Sequence, residues 1–117
     1  MDKVSNAVEF MKGTYSCSQS VLCAFCEDAG ISHAEAKEIA APYSGGRKIK
    51  CGALCAAEIV LGKKFGDSAA DKISEIDEKF LENVGAFNCK DIRGKHLRPC
   101  INCVEDSAFF LSKILEK

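Results

Sequence analysis

The stretch "KIKCGALCAAEIVLGKKFG", residues 48–66, decides the fold. From Ala53 to Leu61 it is apolar on every side, with Glu58 as its one charge. A helix apolar nearly all round is buried all round, so the segment over about 53–62 is expected to be the central helix of the protein. The same stretch raises a chemical question. Cys51 stands against Gly52 at the threshold of that helix, and Cys55 follows one turn inside it. A cysteine in a core can act as a small apolar residue and nothing more. A cysteine at the mouth of a helix can also be a ligand or a redox group.

Helical spacing recurs on both sides of this segment. A first helix is expected over Lys3 to Lys12, with Val4, Ala7, Val8 and Met11 in one stripe. A second is expected from near Ser18, with Leu22, Phe25, Cys26 and Ala29 on one face, stopping at Gly30. "SHAE", residues 32–35, is a capping-box pattern that opens a short third helix ending around Ala40–Pro42. "YSGGRKIK" is then expected to be a Gly-rich, locally basic loop carrying Arg47, Lys48 and Lys50, able to bind an anion or shield a site, or merely mobile as most such loops are. After the central helix, Gly66 supplies a stop and Asp67 or Ser68 a cap. A fifth helix turns Ala69, Ile73, Ile76, Phe80 and Val84 inward. The connector "GAFNCKDIRGKHLRP" has room for one helical turn after Cys89. A last helix starts beyond Pro99 with the stripe Ile101, Val104, Ala108, Leu111 and Leu115. Strand signals are scarce, and no repeat or linker divides the chain. The expectation is an all-α, single-domain bundle of about five to six helices spanning residues 1–117.

The totals narrow the function. The 117 residues are enough for one domain with a real core, needing neither disulfides nor a metal as staples. A net charge of −1, from 16 basic and 17 acidic residues without a basic block, argues against a nucleic-acid partner. "MDKVSNAVEFMKG" has an early acid and no apolar run, unlike a signal peptide, and no segment is apolar for the ~18 residues a membrane span needs. A cytoplasmic protein is the expectation, and there eight cysteines are an anomaly: 17, 23, 26, 51, 55, 89, 100 and 103. In a reducing compartment such density points to metal binding or thiol chemistry rather than a disulfide scaffold.

Four of the eight fall at expected helix beginnings: Cys17, Cys51, Cys100 and, opening the connector turn, Cys89. Unpaired N–H groups and the positive end of the helix dipole favour thiolate over thiol there. The thiolate is both the nucleophile and the metal ligand, so position and chemistry agree. Cys55 lies one turn after Cys51, and Cys103 three residues after Cys100, so each shares a helix face with its neighbour. Cys23 and Cys26 make a second C-x-x-C inside a helix, where packing is the simpler account. Neither C-x-x-C is followed by His, which removes c-type haem attachment, and the spacings match neither a zinc ribbon nor a bacterial ferredoxin. His96 could serve as a further ligand or as a base, though a loop histidine is usually solvated; His33 is expected to face solvent.

"YSCSQSVLCAF", "YSGGRKIKCGALCAAEIVLGKKFGD", "CKDIRG" and "RPCINCVEDSAFFL", covering Asn6 to Leu115, resemble the small bacterial and archaeal proteins named for their C-GCAxxG-C-C cysteine pattern. The resemblance implies a helical fold and redox or metal chemistry. It places the family cysteines on Cys17, Cys51, Cys89 and Cys100, the glycine pair on Gly45 and Gly46, and the "CGA" segment on Cys51, Gly52 and Ala53. The chain departs from the pattern at Cys55, where the family has glycine, and at Cys103, Cys23 and Cys26, which are additional.

Three functions follow. In the first, Cys17, Cys51, Cys89 and Cys100 converge on zinc or an iron–sulfur cluster, as soft thiolate ligands suit, in an electron-transfer protein. In the second, Cys51, Cys55, Cys100 and Cys103 are the working thiols of a thiol–disulfide oxidoreductase or redox sensor with an unidentified redox partner. There, partners from different helices are favoured, because sulfurs at i and i+4 of an unbroken helix are poorly placed to bond. In the third, the protein is a non-catalytic helical homodimer whose cysteines pack its core.

Overall fold

The computed structural model describes residues 3–46, 51–86, 91–92 and 100–116. Its centre is the expected apolar helix, here α5 (Gly52–Phe65). Ala53, Leu54, Ala56, Ala57, Val60 and Leu61 are wholly buried. The helix starts one residue before the expected range and ends three after it. Lys63 and Lys64 prolong it because cations suit the negative helix end, and Gly66 stops it with a positive φ of 55°.

Around α5 are α1 (Lys3–Lys12), α2 (Cys17–Ala24), α3 (Cys26–Ala29), α4 (His33–Ala40), α6 (Ala69–Val84) and α7 (Cys100–Glu116). A 3-10 turn, Ala41–Gly46, follows α4, and another, Gly66–Ser68, precedes α6. Helices α2, α3, α6 and α7 all pack on α5, while α1 lies across α2 and α7. No strand occurs among the described residues, and none of their helices is long and apolar enough to cross a membrane. The fold is all-α, as the spacing predicts. Asp91 and Ile92 are helical, in keeping with a turn after Cys89.

Two local expectations change. The second helix is not continuous to Gly30: it breaks at Phe25, whose φ of −112° and ψ of 21° lie outside the helical well. The break re-aims the chain so that Phe25 is buried at 1% exposure and α3 packs on α5. Gly30 then closes α3 at φ 72°, as expected. On α7, Ile101 and Leu115 are only half-buried; Cys103, Ser107 and Ile114 are buried beside Val104, Ala108 and Leu111. The inward stripe is therefore rotated to include Cys103.

Candidate thiol site

Three helix beginnings supply the site. Helix α2 begins with Ser16 as N-cap. The Ser16 Oγ accepts from the Gln19 N–H at 3.2 Å, and Gln19 Oε1 accepts from the Ser16 N–H at 3.1 Å. This capping box puts Cys17 at the first helical position, one residue before the expected start. Ser18 anchors the same turn by donating to the Ala40 carbonyl at 2.8 Å. Cys51 is the N-cap of α5, but its side chain makes no capping hydrogen bond; its carbonyl accepts from the Cys55 N–H at 2.9 Å. Cys100 is the first residue of α7.

Gly52 is where α2 and α5 meet. A Cβ on Gly52 would stand 2.6 Å from the Tyr43 carbonyl oxygen and 2.7 Å from Cys17 Sγ. The Cys17 sulfur thus occupies the space that any other residue at 52 would fill, against the first turn of α5. The glycine in "CGA" is required by that approach.

Helix α7 brings in the other sulfurs. Cys103, only 2% exposed, is hydrogen-bonded through its thiol to Cys51. That bond, then burial, then electrostatic coupling to Cys51, Cys100 and Asp106 hold the proton on Cys103 well above the ordinary thiol range. Cys100 and Cys17 are half-exposed, whereas Cys51 is 6% exposed. The arrangement is two buried sulfurs in contact across helices, each with a more accessible sulfur nearby. Cys55 is buried one turn into α5.

Cys23 and Cys26 belong elsewhere. They flank the break at Phe25, and Cys23 donates to the His33 carbonyl at 3.8 Å. Burial, with a lesser contribution from Cys26 and an opposing one from Lys37, pushes the Cys23 thiol up to about 11. His33 faces solvent as expected, but it is engaged: Nε2 shares a 2.7 Å hydrogen bond with the Tyr15 hydroxyl, and Phe10 lies edge-on to its ring. Cys89, His96 and the basic residues Arg47, Lys48 and Lys50 lie outside the described residues.

Two residues of the neighbourhood do not figure in the sequence reading. Asp106, 9% exposed, lies one turn after Cys103 and accepts from the Asn83 amide of α6 at 2.8 Å. An acid on the buried face of α7 is the signal that could have found it. All seven described cysteines are free thiols, and among the described residues no three His, Cys, Asp or Glu side chains are grouped to hold one metal ion.

Fold and site together define a small all-α protein with thiols gathered at its helix starts. The chain matches the family model described as "Putative redox-active protein (C_GCAxxG_C_C)" over residues 15–114, and it belongs to that family. No curated protein and no solved structure is detectably similar to it.

Proposed function

We propose that the protein is a thiol–disulfide redox protein whose working sulfurs are Cys100, Cys103 and Cys51. The observation that carries this is the hydrogen bond between Cys103 and Cys51, which joins the starts of α5 and α7 through two buried thiols. Partners on different helices escape the geometric obstacle facing i,i+4 pairs. Cys100, half-exposed in the first turn of α7, is within reach of an external disulfide.

The Cys100 thiolate attacks one sulfur of R–S–S–R; that bond breaks, and the first RS⁻ leaves to take a proton. Cys103 gives up its proton and attacks the Cys100 sulfur, releasing the second RS⁻ and forming Cys100–Cys103. Cys51 then attacks Cys103, Cys100 departs as a thiol, and the disulfide rests between Cys51 and Cys103 in the core. Two protein thiols are oxidised and one external disulfide is reduced to two thiols. Cys55, one turn below Cys51, is outside these steps.

Free thiols counted before and after one equivalent of a small disulfide test this reading. The expected result is the loss of two thiols, mapped by peptide mass spectrometry to Cys103 with Cys51 or Cys100. Oxidation that spares Cys103 overturns it.

Zinc or an iron–sulfur cluster is supported by a different observation: the family cysteines Cys17, Cys51 and Cys100 all stand at helix beginnings, and Cys17 lies against the first residue of α5. The described side chains do not by themselves form an ion's ligand set, so this reading needs Cys89. Stoichiometric iron or zinc in anaerobically purified protein, lost on Cys89→Ser, would establish it in place of the first.

A further inference from the structure

Where α6 packs on α7, the surface carries a feature that the thiol chemistry does not use. Among the described residues, Phe109 of α7 is the most exposed large apolar side chain, at 47%. A single exposed phenylalanine needs no explanation by itself. This one is held in place: its ring lies edge-on to the half-buried Phe110, with centroids 5.8 Å apart, and the Lys113 ammonium stands 5.4 Å from its centre. A ring fixed beforehand loses little freedom when a partner covers it. The surface is hollow on both sides of it. A groove of about 240 Å³ opens toward α6, lined by Glu75, Lys79, Phe110, Lys113 and Ile114 beside Phe109. A second hollow of about 340 Å³ opens toward α1, where Val4, Ser5 and Ser112 join the same ring and the same lysine.

We propose that this face is the interface of a homodimer, in which Phe109 of each copy sits in the α6–α7 groove of the other. A knob flanked by hollows is self-complementary in shape, because a two-fold axis carries each knob into the other copy's groove. Charge selects a second copy over other occupants. Glu75 and Lys79 lie four residues apart on α6 and so share one face. An acidic peptide in the groove would meet Glu75, and a basic one Lys79. A second copy, antiparallel about an axis between these two residues, sets each Lys79 opposite the other copy's Glu75, and both charges are matched. A net charge of −1 per chain leaves little long-range repulsion to oppose the pairing. No cysteine lines either hollow, so this inference stands apart from the thiol-exchange reading.

Sedimentation equilibrium of the full chain, kept in reductant so that no disulfide joins two copies, tests the proposal. Over about 1 to about 100 μM, the range that resolves micromolar association, the expected species has twice the 12.6 kDa mass of one chain. Phe109→Asp should weaken association by about thirtyfold or more, the loss of an interface hot spot. Its circular dichroism should be unchanged, because the Phe109 ring is not part of the core. Lys79→Glu and Glu75→Lys should each weaken self-association by about tenfold or more. An equimolar mixture of these two variants should restore it, because every facing pair is then of opposite sign.

An unmodified chain that stays monomeric over that range overturns the proposal. An apolar dye that binds this monomer, and no longer binds Phe109→Asp, would then give the groove to a small apolar ligand instead. A dimer that survives Phe109→Asp uses another face and overturns the proposal equally. If Phe109→Asp does not fold, the two charge variants decide alone, and a mixture that fails to recover association overturns it.

Discussion

The chain holds two C-x-x-C segments, and their surroundings give them opposite character. Cys23 and Cys26 flank a helix break on the side of α4, where Cys23 bonds a backbone carbonyl and burial keeps its thiol protonated to about 11. Cys100 and Cys103 open α7, where the second cysteine faces another sulfur, Cys51, across the helix interface. Spacing is the same in both. A carbonyl neighbour can only accept from a thiol, while a sulfur neighbour can also form a bond with it. Under the proposed thiol exchange, the difference teaches that partner chemistry and helix position, more than the C-x-x-C spacing, would separate a packing thiol from a working one.

The largest expected effect tests this contrast directly: loss of the intramolecular disulfide at one site and no change at the other. Cys103→Ser should abolish the intramolecular disulfide formed with one equivalent of oxidant, leaving mixed disulfides on the accessible thiols. Cys23→Ser should leave that product unchanged. Peptide mapping of both variants decides, and a disulfide that persists in Cys103→Ser ends the distinction.

Gly52→Ala should come next. The added methyl would lie 2.6 Å from a backbone oxygen and 2.7 Å from Cys17 Sγ, and only the sulfur can move easily aside. Overpacking of this kind costs roughly 1–3 kcal/mol, and a rigid carbonyl puts Gly52 toward the upper end. Urea unfolding measures the loss. The same variant should expose Cys17 to alkylation faster than the unmodified chain, while Cys23 keeps its rate.

Alkaline pH sharpens the contrast from the other side. Folding raises the Cys23 value from 9.0 to about 11, so between these limits the native chain keeps a proton that the unfolded chain has lost. The resulting stability is fully present below pH 9 and is lost as pH rises through about 11. Cys23→Ala should flatten that part of the stability curve. An unchanged slope between pH 9 and 11 would show that the Cys23 environment is not what holds the proton.

Much of the fold was legible because its signals are local. The unbroken apolar run of α5 announced a central helix, and the "SHAE" cap, Gly30 and Gly66 marked boundaries that the structure keeps. Three of the four cysteines expected at helix starts, Cys17, Cys51 and Cys100, stand there for the same reason, since N-terminal patterns are written in adjacent residues. The break at Phe25 was not legible: no Gly or Pro marks it, and its cause is the burial of one ring in a core assembled from distant helices. The site was legible as a set of candidates but not as pairs. That Cys103 meets Cys51, that Cys17 fills the space beside Gly52, and that Asn83 reaches Asp106 all depend on how helices cross.

The smallest effect separates the two regions by their caps. Ser16 and Ser32 both close capping boxes, with Gln19 and Glu35 as partners. Replacing either serine by alanine should therefore cost a similar ~1 kcal/mol in urea unfolding. Their chemical consequences should differ. Ser16 fixes the turn that presents Cys17 to α5, so Ser16→Ala should change the alkylation rate of Cys17 and leave Cys23 alone. Ser32 fixes the start of α4, whose His33 carbonyl receives the Cys23 thiol, so Ser32→Ala should loosen Cys23 and leave Cys17 alone. If either variant altered both thiols equally, the start of α2 that holds Cys17 and the turn beside α4 that holds Cys23 would be one cooperative unit, and the two regions would not be chemically separable.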